Sequence, residues 1–200
     1  MKKEKMKEMD VVFLLDRSGS MTGMEMDTIG GYNSYLEKQR RNGYKTKITT
    51  VLFDDKYEMI NERCDIKDIK PLNKDIYYVR GCTALLDAIG KTIEYIDKKN
   101  AKKVMFIITT DGLENASKIY NKKQIKEMIE GHSNFEFMYI GANIDSYSEG
   151  NSIGISKKNI SNYKKSSEGI SNLYKSVEKA SMSLYEEGIV SNDWKDELEK

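Results

Sequence analysis

Five side chains of this sequence have the chemistry needed to hold a divalent cation. Two carry carboxylates and three carry hydroxyls, namely Asp16, Ser18, Ser20, Thr83 and Asp111. A set of oxygen donors suits a hard cation such as Mg²⁺, which binds few protein groups and keeps several water molecules. We therefore predict a Mg²⁺ site, with Mn²⁺ or Ca²⁺ as alternative ions.

The apolar runs of the sequence predict how these side chains meet. Four runs of five to seven residues are rich in β-branched and aromatic side chains and lack strict alternation, as is typical of strands buried on both faces of a parallel sheet. They are Val11–Leu15, Ile48–Phe53, Val104–Thr110 and Phe135–Ile140. Asp16 and Asp111 each follow one of these runs directly. Since ligands of open α/β sheets bind beyond the carboxyl ends of the strands, both carboxylates are expected at one edge of the sheet.

Helical patterns separate the predicted strands. Helices are predicted near Ile29–Leu36, over about Ala84–Lys99 and Asn121–Gly131, and through Ile170–Leu184. Tyr57–Cys64 is predicted to form a hairpin with the second strand. This order predicts an α/β fold with three layers (α/β/α), Rossmann-like, whose central sheet is mostly parallel with one antiparallel edge strand. Thr83 precedes the second helix, which places its hydroxyl at the same edge.

The composition excludes several classes of protein. Lys and Arg number 33 against 32 Asp and Glu, a net charge of +1, so no global field favours nucleic acid or an anionic membrane. Cys64, Cys82 and the single His132 offer neither a disulfide framework nor zinc-binding spacing. No apolar segment reaches the roughly 20 residues needed to cross a bilayer. We predict a cytoplasmic protein without nucleic-acid binding or membrane insertion.

The domain organisation is predicted to be simple. The 200 residues are 38% hydrophobic, enough for one core, and neither a repeat nor a break in composition divides them. We predict one domain over residues 9–187, with polar tails at residues 1–8 and 188–200.

Three motifs together resemble a known family. The sequence DRSGS at residues 16–20 resembles the D-x-S-x-S motif of von Willebrand factor type A (vWA) domains, which include integrin I domains and many bacterial proteins. Thr83 matches the family's threonine loop, and Asp111, followed by Gly112, matches its final aspartate loop. These are the parts of a complete metal-ion-dependent adhesion site (MIDAS), and the resemblance covers roughly residues 10–184.

The resemblance implies a role for each site residue and for the protein. Ser18 and Ser20 would bind the metal directly, Thr83 directly or through water, and Asp16 and Asp111 mostly through water. With the carboxylates outside the inner shell, the ion keeps net positive charge and an open position. The implied function is a non-enzymatic protein–protein binding module that grips a Glu or Asp carboxylate of a partner protein through Mg²⁺.

A metal-dependent phosphohydrolase is the alternative function. Such enzymes also place an aspartate after the first parallel strand, but they usually need a second carboxylate two residues on, where this chain has Ser18. A serine nucleophile would need a base, and His132 is predicted at the opposite edge of the sheet. A metal-free scaffold is the third hypothesis, and it is disfavoured because all five ligand positions carry the family's residue types.

Three further aspartates are interpreted as structural. Asp54 and Asp55 are expected at the turn of the predicted hairpin, where aspartate is a common choice. Asp145 follows the fourth apolar run and is expected to cap the next helix.

Overall fold

The computed structural model describes residues 8–199, and these residues form one sheet with helices on both faces. The strands are β1 (Met9–Asp16), β2 (Thr46–Phe53), β3 (Tyr57–Asp65), β4 (Val104–Thr110), β5 (Phe135–Gly141) and β6 (Ile160–Asn162). Their order in the sheet is β3-β2-β1-β4-β5-β6. Neighbouring strands are parallel except β2 and β3, so β3 is the antiparallel edge strand. The predicted fold class is confirmed.

The helices include one that the sequence patterns did not predict. They are α1 (Glu25–Asn42), α2 (Leu85–Lys98), α3 (Lys122–Gly131), α4 (Ser146–Ser152) and α5 (Ser167–Glu187). The unpredicted α4 has seven residues, mostly serine, glycine and other polar types, so it has no apolar stripe to detect. Among the described residues, none of the helices is both long enough and apolar enough to cross a membrane.

The central strand β1 is buried on both faces, which explains its unbroken apolar sequence. Phe13 and Leu15 belong to the core on the side of α1 and α5, whereas Val12 and Leu14 belong to the core on the side of α2 and α3. Alternate residues of one strand therefore enter opposite cores. Packing on both faces fixes the direction and register of β1, and this fixes the position of Asp16 at its end.

The edge strand β3 pairs irregularly with β2. The register between them shifts on either side of Thr50, and Arg63 adopts a left-handed backbone with φ of 53°. Such bulges bend and twist the strand that carries them.

The segment after α5 packs onto the domain. Trp194 is 1% exposed, and its Nε1 donates a hydrogen bond to the carbonyl oxygen of Lys158 at 2.9 Å. Val190 and Leu198 join the same core cluster. Residues 188–199 are therefore not a free polar tail as predicted. Their three apolar residues Val190, Trp194 and Leu198, each four positions after the one before, are buried in the core. The domain boundary at residue 187 stays a prediction, and residues 1–7 of the predicted N-terminal tail lie outside the described residues.

The contact between α1 and α5 requires a glycine. A Cβ built on Gly31 would lie 2.1 Å from Cδ2 of Tyr174, whose ring is buried between the helices. One residue earlier, a Cβ on Gly30 would meet nothing within 4 Å among the described residues. The two adjacent glycines therefore face different surroundings.

Gly31→Ala is expected to lower the free energy of unfolding by roughly 1–3 kcal/mol, because the methyl group overpacks the Tyr174 contact. The matched control Gly30→Ala should raise it by up to about 1 kcal/mol, since alanine is the better helix former. Urea denaturation of both variants measures the difference. Equal stabilisation by the two substitutions would contradict this account of the interface.

Candidate metal centre

Backbone hydrogen bonds join the loop after β1 to the loop before α2. The amide of Arg80 donates to the carbonyl of Arg17 at 2.8 Å, and the amide of Gly19 donates to the carbonyl of Gly81 at 3.1 Å. Gly81 has φ of +66°, and a Cβ there would lie 2.0 Å from Oδ1 of Asp55. Glycine therefore allows both the turn and the close approach. The two loops that carry the predicted hydroxyls are held side by side.

Three hydroxyls converge on the space beside Gly112. A Cβ on Gly112 would lie 2.9 Å from Oγ1 of Thr83, 3.1 Å from Oγ of Ser20 and 3.7 Å from Oγ of Ser18. The two serine oxygens are 3.0 Å apart. The missing side chain of Gly112 thus keeps open a cradle, formed by Ser18, Ser20 and Thr83, in which three oxygens face one point.

Asp16 stabilises the loop that carries Ser18 and Ser20. It is 1% exposed, its Oδ1 accepts a hydrogen bond from the Ser18 amide at 2.7 Å, and its Oδ2 accepts one from Oγ1 of Thr110 at 2.5 Å. Burial raises the pKa of Asp16 to about 6, although the hydrogen bonds from Thr110 and Ser18 oppose the increase. Both carboxylate oxygens are engaged with the loop and β4, so Asp16 positions the hydroxyl of Ser18.

Asp111 lies at the same edge of the sheet, in contact with a lysine. Its side chain is 1% exposed, and its Oδ2 lies 2.7 Å from Nζ of Lys165. Both carboxylate oxygens are buried and neither accepts a hydrogen bond from residues 8–199, so the contact between Oδ2 and Lys165 is an ion pair, and Oδ1 has no partner of either kind among these residues. The same ammonium of Lys165 also donates to the carbonyl oxygen of Ser20. The structure thus brings all five predicted residues to one edge of the sheet and adds a lysine that the sequence patterns did not suggest.

A buried ion pair fixes the loop after β1. Arg17 and Asp54 both have fully buried side chains, and Nε of Arg17 lies 2.9 Å from Oδ2 of Asp54. Arg80 binds the same oxygen at 2.7 Å, and Glu58 binds Nη2 of Arg17 at 2.7 Å. Burial alone would raise the pKa of Asp54, but the hydrogen bonds from Arg80 and the Lys56 amide, with the charges of the two arginines, outweigh it and lower the pKa.

The interpretation of Asp54 as a hairpin-turn residue is confirmed but incomplete. Its Oδ1 accepts a hydrogen bond from the Lys56 amide at 2.6 Å, as expected in such a turn. The sequence patterns did not predict its ion pairs to Arg17 and Arg80, because these partners are 37 and 26 residues away in the chain.

The loop after Asp111 is fastened to the start of α2. Glu114 accepts a hydrogen bond from the Leu86 amide at 2.9 Å, and Oδ1 of Asn115 accepts one from the Thr83 amide at 2.9 Å. Asp87 accepts hydrogen bonds from three successive backbone amides, those of residues 118–120. These acidic and amide side chains hold the Asp111 loop and Thr83 together, so they serve the site without entering the cradle.

The remaining candidates lie away from the cradle. Nε2 of His132 is 2.9 Å from Oδ1 of Asp97, after α3 and before β5, which is the opposite edge of the sheet. Asp145 accepts a hydrogen bond from the Ser148 amide at 3.0 Å, so its predicted capping role is confirmed. Within residues 8–199, no group of three or more His, Cys, Asp or Glu side chains is placed to hold a metal. A metal at the candidate centre would therefore depend on the hydroxyls.

The stability of the metal-free protein is expected to depend on Asp16. Between its unfolded pKa near 3.8 and its folded pKa of about 6, the unfolded chain loses a proton that the folded protein keeps. The free energy of unfolding due to this group therefore falls as the pH rises through that interval, by roughly 3 kcal/mol in all. Above it, the loss stays constant.

Asp16→Asn removes this loss, and its amide oxygen can still accept from the Ser18 amide while its NH2 group donates to Oγ1 of Thr110, which reverses that hydrogen bond. In EDTA, the variant is expected to exceed the wild type in stability at about pH 8, and the advantage should disappear near pH 4. Urea denaturation at a series of pH values measures both. A difference between the two proteins that does not change with pH would rule out a raised pKa at Asp16.

Comparison with known proteins identifies the fold. No protein-family model and no curated protein sequence matches the chain. The PilB minor pilin from Streptococcus sanguinis superposes with a TM-score of 0.69 at 11% identity, over 92% of this chain and 63% of that one. The ArnB paralog VWA2 from Sulfolobus acidocaldarius superposes with a TM-score of 0.59 at 16% identity, over 88% and 46%.

Proximal thread matrix protein 1 from the mussel byssus is also similar, with a TM-score of 0.64 at 16% identity, over 86% of this chain and 45% of that one. A second structure of it, described as having a zinc-occupied MIDAS motif, superposes with a TM-score of 0.63 at 17% identity. The chain spans about half the length of the mussel and Sulfolobus chains. At these identities the similarity establishes the fold, and the chain has a vWA fold.

Proposed function

We propose that this protein is a binding module that holds Mg²⁺ in the cradle of Ser18, Ser20 and Thr83 and uses it to grip a carboxylate of a partner protein. The observation that carries the proposal is the convergence of three hydroxyl oxygens around the open space beside Gly112. Hydroxyls alone hold no ion tightly, but two buried carboxylates lie at the same edge of the sheet: Asp16 accepts a hydrogen bond from the Ser18 amide, and Asp111 directly precedes Gly112. This combination supports the complete MIDAS that the resemblance of the sequence motifs implies.

The residues of the centre fit a divalent cation. Every donor is oxygen, which suits a hard ion. The unpaired Oδ1 of Asp111 is a buried acceptor that an ion or its water shell would satisfy. Asp16 has its pKa raised by burial, and a nearby positive charge would favour its ionised form.

When bound, the ion supplies a concentrated positive charge with a position open to a ligand oxygen. The chain's own residues then have separate tasks. Ser18, Ser20 and Thr83 offer oxygens to the ion, Asp16 holds the Ser18 amide in place, and Asp111 balances charge from inside the loop. A Glu or Asp of a partner protein is the expected ligand, because an anionic oxygen is attracted to the uncompensated charge. The zinc-occupied MIDAS motif of the mussel protein supports a divalent ion in this fold, and Mg²⁺ is our choice for this chain.

The phosphohydrolase alternative has little structural support. The position where such an enzyme usually has a second carboxylate holds Ser18, whose oxygen faces that of Ser20 at 3.0 Å. The histidine of the sequence lies at the opposite edge of the sheet, paired with Asp97. His132 is therefore too far from the serine hydroxyls to act as their general base. We propose a non-enzymatic role, and we keep the cytoplasmic location as a prediction.

Gly112→Ala is expected to abolish Mg²⁺ binding and leave the fold intact, because its methyl group would enter the cradle about 3 Å from two hydroxyl oxygens. At about 100 times the dissociation constant, Mg²⁺ should stabilise the wild type by about 2.7 kcal/mol relative to EDTA. The control Gly131→Ala, where a Cβ meets nothing within 4 Å among the described residues, should behave like the wild type. Thermal unfolding with Mg²⁺ or EDTA measures the effect. If Mg²⁺, Mn²⁺ and Ca²⁺ all leave the melting temperature of the wild type unchanged, the metal centre is refuted.

Partner binding is expected to require the loaded centre. Wild type and Gly131→Ala should retain the same protein from a lysate in Mg²⁺, whereas EDTA or Gly112→Ala should release it. Replacing single Glu and Asp residues of the retained protein by Gln and Asn should locate one whose loss abolishes binding. Retention that persists in EDTA would contradict a metal-mediated contact. Turnover of a phosphoester panel that Asp16→Asn abolishes would instead favour the hydrolase.

A further inference from the structure

The side chain of Lys165 reaches the candidate metal centre from another part of the fold. Lys165 lies between β6 and α5, and its Nζ is 2.7 Å from Oδ2 of Asp111. The same ammonium donates to the carbonyl oxygen of Ser20, the residue that also contributes a hydroxyl to the cradle. The lysine therefore contacts two of the three loops of the centre.

Lys165 supplies a charge that the metal-free centre needs. The Asp111 side chain is 1% exposed, and a buried carboxylate without a positive neighbour is strongly unfavourable. With Asp16 and Asp111 ionised and Lys165 protonated, the three groups carry a net charge of −1. The ammonium thus takes part of the electrostatic role that a divalent ion would take.

We propose that Lys165 is a built-in competitor of the metal ion. This inference rests on the proposed function, since it concerns the regulation of the same centre. An ammonium at Asp111 and a divalent cation in the adjacent cradle repel each other in a partly buried site. Metal entry therefore requires Lys165 to leave Asp111, and the protein exchanges between a lysine-closed and a metal-loaded centre. The lysine sets the ion concentration at which the centre becomes able to bind a partner.

The geometry allows this exchange without unfolding the adjacent helix. The side chain of Lys165 is 24% exposed, so the ammonium has a route to solvent. The start of α5 is fixed by other contacts, because Ser166 caps the helix at the Gly169 amide and Ser167 donates to Oδ2 of Asp27 at 2.8 Å. Rotation of the lysine side chain is therefore sufficient.

Lys165→Met keeps the unbranched part of the side chain and removes the ammonium with its charge, so it separates competition from simple packing. Isothermal titration with Mg²⁺ should show a dissociation constant lower than that of the wild type by about tenfold or more. In EDTA, the same variant should melt at a lower temperature than the wild type, because Asp111 loses its counter-charge. Lys164→Met is the matched control, since its side chain is exposed, and it should change neither quantity.

A second measurement uses the wild-type protein and therefore does not depend on how the variant folds. Reductive methylation of lysines, read by mass spectrometry, should modify Lys165 slowly in EDTA and faster in saturating Mg²⁺, with Lys164 modified equally in both. Unchanged or weaker Mg²⁺ affinity in Lys165→Met, or equal modification of Lys165 in both conditions, would overturn the competitor role while leaving the metal centre standing. Absence of Mg²⁺ binding in both the wild type and Lys165→Met would refute the proposed function itself. Binding by Lys165→Met alone would support the competitor role of Lys165 and refute the proposed function of the wild-type protein.

Discussion

The ion pair between Arg17 and Asp54 is the interaction on which the geometry of the candidate centre depends. It lies entirely inside the protein and ties the loop after β1 to the end of β2. Asp54 also binds Arg80, and its carbonyl accepts a hydrogen bond from the Ala84 amide, so both ends of the Thr83 loop are attached to one residue. Removing one partner of a buried pair typically costs about 3–5 kcal/mol. The hydroxyls converge because the backbones that carry them have no freedom to separate.

Two carboxylates, those of Asp16 and Asp111, are buried at the same edge of the sheet. Burial raises the pKa of Asp16 and so favours its protonated form, whereas Asp111 attracts Lys165. These two responses differ in kind, since one changes a protonation state and the other recruits a side chain from beyond β6. Both are consistent with a centre whose electrostatics are completed by a cation. The proposed role as a metal-dependent binding module rests on these electrostatics more than on the shape of the surface.

The parts that were predictable from the sequence are those determined by local chemistry. The strands β1, β2, β4 and β5 were visible because burial on both faces leaves uninterrupted apolar runs. The capping box of α3, Asn121 with Gln124, was likewise local. Lys165, the ion pairs of Asp54 and the burial of Trp194 were not predictable, because each depends on a partner distant in the chain. The short β6 and α4 lack any periodic pattern and form through their neighbours.

The irregular β3 and the short β6 have a consequence for how this domain can associate. Exposed edge strands offer unpaired backbone groups onto which another chain can add a strand. At one edge, the register shifts near Thr50 and the left-handed backbone of Arg63 interrupt that row of groups. At the other, β6 spans three residues, and Lys195 donates to the carbonyl of Ile160 beside the Trp194 anchor. Both borders of the sheet are poor templates for strand addition, which protects the domain from edge-to-edge aggregation.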